Sequence, residues 1–187
     1  MKNTKPKAEK PKDIYTVGHS THTSKEFVEL LRAHGIRRVV DIRTIPKSRH
    51  NPQFNEARLA TTLRKNRVAY VHEPLLGGLR RTKKDSVNLG WRNASFRGFA
   101  DYMQTDNFEK GLAKLMALAS HSKTAIMCAE AVPWRCHRSL VADALKKKGV
   151  RVFHIMSAKN MHEHRYTPFL RVRKGKLVYP ISKEVTT

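Results

Sequence analysis

Cysteine is scarce in this sequence. Two cysteines among 187 residues exclude the disulfide framework on which small secreted domains rely, so both are expected to be thiols. Acidic residues are scarce as well, 15 against 38 lysines and arginines, for a net charge of +23. Long apolar runs are missing: none approaches the roughly 20 residues that span a bilayer, so no membrane partner is expected. The first residues, MKNTKPKAEKPKD, carry lysine and proline but no apolar stretch of the kind a secretory signal needs. The expected location is cytoplasmic. There is no repeat of fixed period.

What is present is enough hydrophobic content, 40%, for one globular domain with a substantial core. Residues 1–13 read as a disordered basic arm, and residues 14–187 as a single domain. The arm contributes +3 and residues 157–187 contribute +5, which leaves +15 between them. The excess positive charge therefore belongs to the body of the protein. A surface this basic attracts polyanions such as nucleic acid; it is equally what a solvated basic surface looks like.

Strand and helix patterns alternate along the chain. Short apolar runs at 14–18, 37–43, 68–72, 124–128 and 151–156 read as strands. Between them lie helical periodicities, one opened by the Thr23/Glu26 capping box and another running through Leu140, Val141, Ala144 and Leu145. Residues 169–179 read as a small hairpin turning at Lys174-Gly175. The alternation predicts a three-layer α/β fold with a mainly parallel central sheet flanked by helices. The segment from Glu73 to Ala94 has no periodicity; a loop of that length is functional or disordered.

In open parallel sheets ligands bind beyond the carboxyl ends of the strands. Several chemistry-bearing residues fall there: His19 and Ser20, Asp41 and Arg43, His72 and Glu73, Cys128 and Glu130. The stretch Thr124–Leu145 is the richest. A strand ends at Cys128, a loop interrupted by Pro133-Trp134 follows, and a helix starts near Cys136-His137-Arg138. A helix start with arginines beside it suits an anion. The expected pocket collects Arg43, Arg49, Arg135 and Arg138 around a phosphate-bearing small molecule or nucleic acid. Cys128, Glu130 and His137 are its candidate catalytic groups, and Cys128 reads equally as a buried strand-end residue. Glu130 reads either as a base or as the ion-pair partner of Arg135 or Arg138. On a helix, neighbours at 136 and 137 diverge by about 100°, so Cys136 and His137 are not expected to meet. Two cysteines are few for a structural zinc site, so no metal site is assigned, and no cofactor is identified.

The motifs VGHST at 17–21, VDIRTIPKSRHNPQFN at 40–55, LGG at 76–78, GFADYM at 98–103, CAEAVPWRCHRSLVADAL at 128–145 and HRYTPF at 164–169 resemble the domain of unknown function 488 family. The resemblance implies a fold and a site rather than an activity. Its motif positions are His19, Ser20, Asp41, Arg43, Pro46, Arg49, Asn51, Phe54, Gly77, Gly78, Cys128, Glu130, Cys136, His137 and Arg138. A weaker likeness runs to rhodanese domains, through VVDIR and through IMC followed later by RSL. It implies sulfur transfer through Cys128, although the loop here is longer and Pro133 removes one amide from any anion cradle. Three readings therefore stand: a cysteine-dependent enzyme with an anion pocket, a nucleic-acid-binding protein acting through its basic surface, and a sulfur transferase.

Overall fold

The structure, a computed structural model, describes residues 10–181. Most of the expected arm, residues 1–9, lies outside them. Residues 10–13 already belong to the fold. Pro11 is buried, Asp13 pairs with Arg151 at 2.7 Å, and the Lys12 carbonyl accepts the Arg151 amide.

Six strands form the central sheet: β1 (Asp13–Gly18), β2 (Arg38–Asp41), β3 (Ala69–His72), β4 (Thr124–Cys128), β5 (Arg151–Ser157) and β6 (Asn160–Glu163). Their order is β3-β2-β4-β1-β5-β6. The first five run parallel, and β6 returns antiparallel on β5. A separate hairpin pairs β7 (Arg171–Arg173) with β8 (Lys176–Val178) across the Lys174-Gly175 turn. Both turn residues have positive φ, as such a tight reversal requires.

Helices cover both faces. Side chains alternate along each strand, so one sequence parity faces each layer. Tyr15, Val17, Val39, Ala125 and Met127 pack with α1 (Ser24–Ala33) and α2 (Glu56–Lys65). Ile14, Val40, Ile126, Cys128 and Val152 pack with α3 (Ala94–Tyr102), α4 (Asp106–Ala119) and α5 (Arg138–Lys147). The chain is thus a three-layer α/β fold. Helix α1 opens with the Thr23/Glu26 capping box read from the sequence. The caps of α3 and α4 are Asn93 and Thr105, each bonding an amide of its first turn. No helix among the described residues is long and apolar enough to cross a membrane.

The long 73–94 segment is pinned rather than loose. Asp101 accepts hydrogen bonds from the Lys83 amide, Ser86 Oγ and Asn88 Nδ2, and buried Asn88 accepts the Tyr179 amide. Ordering it brings Gly77 and Gly78 to the carboxyl end of the sheet. There β1, β2 and β4 finish together. The His19 amide donates to the Cys128 carbonyl, Ser20 to Ala129 and Ile42 to Met127. Gly18 permits this junction, because a Cβ there would collide with the Glu130 carbonyl.

Candidate functional site

At these strand ends opens a pocket of about 330 Å³. Its floor is formed by Cys128, Cys136 and His137, and its rim by Arg43, Lys47, Gly78, Glu130 and Arg135. Cys128 ends β4. Cys136 and His137 follow a 3-10 turn at Pro133–Arg135. The turn leaves Cys136 extended, at φ −135° and ψ 143°. That corrects the expectation that Cys136 and His137 diverge: the helix begins only at Arg138, and Cys136 Sγ lies 3.7 Å from His137 Nδ1. Cys128 Sγ lies 4.0 Å from the same nitrogen.

The imidazole tautomer follows from its other contact. His137 Nε2 faces the Ile42 carbonyl at 3.2 Å, and a carbonyl only accepts. Nε2 therefore carries the proton, and the Nδ1 lone pair points at both sulfurs. Gly78 makes room for the ring, since a Cβ there would stand 2.5 Å from Nδ1. The two thiols are unequal. Cys136 is held well below the usual thiol range, chiefly by the hydrogen bond from Cys128, with the Arg138 charge adding to it against burial. Cys128 is pushed well above that range because it donates to Cys136 and is buried. Of the two thiols Cys136 is thus the more acidic, and it is the one that Arg138 Nε approaches, at 3.4 Å.

Arg138 also departs from expectation. It is 1% exposed and its donors are taken. Nε points to Cys136 Sγ at 3.4 Å, Nη1 to Thr16 Oγ1 at 3.3 Å, and Nη2 to the Glu130 and Ala131 carbonyls. It supports the Cys136 sulfur and the loop, and does not face an incoming anion. The start of α5 is likewise occupied: the amides of Ser139, Leu140 and Val141 donate to the Cys136 and His137 carbonyls. Any anion is therefore left to the rim cations Lys47, Arg135 and the edge of Arg43. Glu130, expected to pair with an arginine, gives Arg138 its backbone carbonyl, and its carboxylate is in no ion pair among the described residues.

The other residues anticipated from the sequence divide into support and surroundings. Asp41 is fully buried and binds Arg43 bidentately, with Nη2–Oδ2 at 2.6 Å; Tyr70 donates to the same carboxylate. Arg43 also donates to the Phe54 carbonyl. His19 stacks on Phe54 at 4.2 Å, gives its Nδ1 proton to the Ser20 carbonyl, and turns Nε2 toward Arg43 Nη1 at 3.4 Å. Burial, with Arg43 beside it, lowers its pKa to about 4, so it is neutral at pH 7. Ser20 occupies a left-handed turn at φ 47°, and Gly77 packs under Thr44. Arg49 is exposed and does not line the pocket.

A network that the sequence reading missed lies behind Arg138. Thr16 Oγ1 meets His154 Nδ1 at 2.8 Å, His154 Nε2 meets His164 Nδ1 at 3.0 Å, and His164 Nε2 meets Asp143 Oδ1 at 2.9 Å. Arg138 can only donate and the Asp143 carboxylate can only accept. With both imidazoles neutral, each group in between donates toward Asp143. Thr167 and Tyr179 complete the carboxylate's partners. The chain ends at a second, larger cleft of about 900 Å³, which His154 and His164 help to line.

The donor set also suits a soft cation. Cys128 Sγ, Cys136 Sγ and His137 Nδ1 lie within 4.8 Å of one another. A carbonyl-anchored imidazole beside two thiols matches the way metal-binding histidines are oriented.

Fold and site together define an open, mostly parallel α/β protein with two thiols and an imidazole gathered at the strand carboxyl ends. The model of the family described as Domain of unknown function DUF488 matches residues 23–145, and the chain belongs to that family. The match runs from α1 into α5 and includes the whole pocket floor; His19, His154 and His164 fall outside it. No curated protein and no solved structure matches the chain.

Proposed function

We propose that the protein is a thiol-dependent enzyme that binds a phosphate-bearing ligand in the strand-end pocket. Cys136 is the nucleophile. Cys128 and His137 manage the proton beside it, and Lys47 and Arg135 hold the anion. The observation that carries this reading is the convergence of two thiols, an oriented imidazole lone pair and a buried guanidinium on the floor of a pocket with a cationic rim. Buried guanidinium beside sulfur favours thiolate, and a nucleophile with an adjacent base is the usual arrangement for covalent catalysis.

The test compares two small alkylating agents of similar size, anionic iodoacetate and neutral iodoacetamide, on the intact protein. Cys136 is expected to react first, and its iodoacetate-to-iodoacetamide rate ratio is expected to exceed that of free glutathione. Lys47→Ala and Arg135→Ala each lower the ratio about 3- to 5-fold, the size of one exposed charge contact. A ratio equal to that of glutathione and insensitive to both variants would refute the anion rim. Labelling confined to Cys128 would refute Cys136 as nucleophile.

A further inference from the structure

The larger cleft is unassigned by anything above. Its floor and walls, about 900 Å³ in volume, include Trp134, Lys146, His162, Arg165 and Tyr166. Trp134 is 65% exposed and Tyr166 42% exposed. Each ring offers an open face on which a flat group can stack. Lys146 Nζ stands 5.6 Å from the centre of the Tyr166 ring and 3.5 Å from Glu163 Oε1, the acid of this cleft, which leaves Arg165, among the described residues, as its unpaired cation beside the rings.

One turn separates this cleft from the thiol pocket. In Pro133–Arg135, Trp134 lines the cleft and the next residue, Arg135, lines the pocket. A ligand lying across the turn meets a ring, then a guanidinium, then the dithiol floor.

We infer that single-stranded nucleic acid binds across this turn, with bases stacked on Trp134 and Tyr166, backbone phosphates passing Arg165 and Arg135, and one end entering the thiol pocket. This deepens the proposed function by naming its substrate class, and rests on it. Charge complementarity commits the cleft to this occupant. The chain carries +23, most of it outside the terminal segments. Stacking rings set in a cationic groove are the general means of holding unpaired strands. A duplex presents phosphates but keeps its bases stacked on each other, so it can use the cations and not the rings.

The experiment measures binding of a fluorescein-labelled 12-residue oligothymidylate, and of a duplex of equal length, by anisotropy at several salt concentrations. Tryptophan quenching is read in parallel. The wild type is expected to prefer the single strand, with quenching that Trp134→Ala removes. Trp134→Ala with Tyr166→Ala weakens single-strand binding at least 10-fold, in line with the stacking contribution of a base on an aromatic ring. The doubly conservative Trp134→Phe, Tyr166→Phe variant keeps most of it, which separates stacking from any loss of fold. Three results would overturn the inference: equal affinity for single strand and duplex, full affinity in the double alanine variant, or displacement of the oligonucleotide by polyglutamate at matched charge. The alkylation ratio reads Lys47 and Arg135 with small reagents, whereas this assay reads Trp134 and Tyr166 with a polymer. Failure of either reading is visible without the other.

Discussion

Acidification is expected to destabilise this protein well before its carboxylates titrate. His19 is 2% exposed and His154 7%. Burial is the main cause that lowers both from the ordinary 6.5, His19 to about 4 and His154 to about 3. The groups around them explain why neither escapes. His19 faces Arg43, with Asp41 and Arg138 further off, and His154 faces His164, Arg138 and His162. Between its folded and unfolded pKa values each imidazole binds fewer protons in the folded state, so stability rises with pH across that window. The contribution is complete above pH 6.5 and is lost as pH falls toward 4 and 3. At pH 5 the unfolded imidazole is about 1.5 pH units below its pKa and the folded one is still neutral. Each then costs about 2 kcal/mol, at about 1.4 kcal/mol per pH unit. The pair costs about 4 kcal/mol, a large part of a typical total of about 5–15 kcal/mol. Urea unfolding at pH 8 and pH 5 measures the difference. His19→Asn and His154→Asn should each reduce it by about 2 kcal/mol, whatever they do to stability at pH 8. The reasoning is refuted if either variant keeps the wild-type pH dependence.

Asp143 accepts from His164, Tyr179, the Thr167 hydroxyl and the Thr167 amide. Asp143→Ala strands these donors in a buried site and should cost about 3–5 kcal/mol, read as a lower urea midpoint with an unchanged slope. Gly78→Ala drives a Cβ into the His137 ring. Displacing that ring should slow alkylation of Cys136 about 10-fold or more, while far-UV circular dichroism stays that of the wild type.

The sheet and the place of the site are legible in the sequence because buried parallel strands write themselves as short apolar runs, and the polar residues following those runs converge by topology. His19, Arg43, Cys128 and Cys136 are brought within one region for that reason. What fails is local. The spacing from Cys136 to Leu140 continues a helical pattern backward, but the 3-10 turn at Pro133–Arg135 releases Cys136 in extended geometry and so turns its sulfur to His137. Strand β6 leaves no trace because all four of its residues are exposed. Asp143 is obscured by its surroundings: α5 is buried on every side from Arg138 to Leu145, and one acid in such a helix must have partners elsewhere. The signal is present in HRYTPF, whose His164 and Thr167 both bind that carboxylate, yet no periodicity links residue 143 to residue 164.

Read from the sequence, Arg138 is an anion-binding guanidinium at a helix start. In the fold its donors run to the Cys136 sulfur, to a threonine hydroxyl and to two loop carbonyls, and a cation so committed cannot also be exchanged with a ligand. The division of labour follows. Arg138 donates to the Cys136 sulfur and to the Glu130 and Ala131 carbonyls of the loop from beneath. Arg135, three residues earlier, is exposed and lines the pocket, which is why the proposed anion contact is given to it. Because Thr16 links Arg138 to His154, and His154 borders the wide cleft, the Cys136 sulfur and the cleft wall are joined by one continuous hydrogen-bonded chain. A loop that carries Trp134 on one side and the dithiol floor on the other must keep both in register if a ligand is to span the turn. The buried relay, costly to desolvate as it is, is the connection between them.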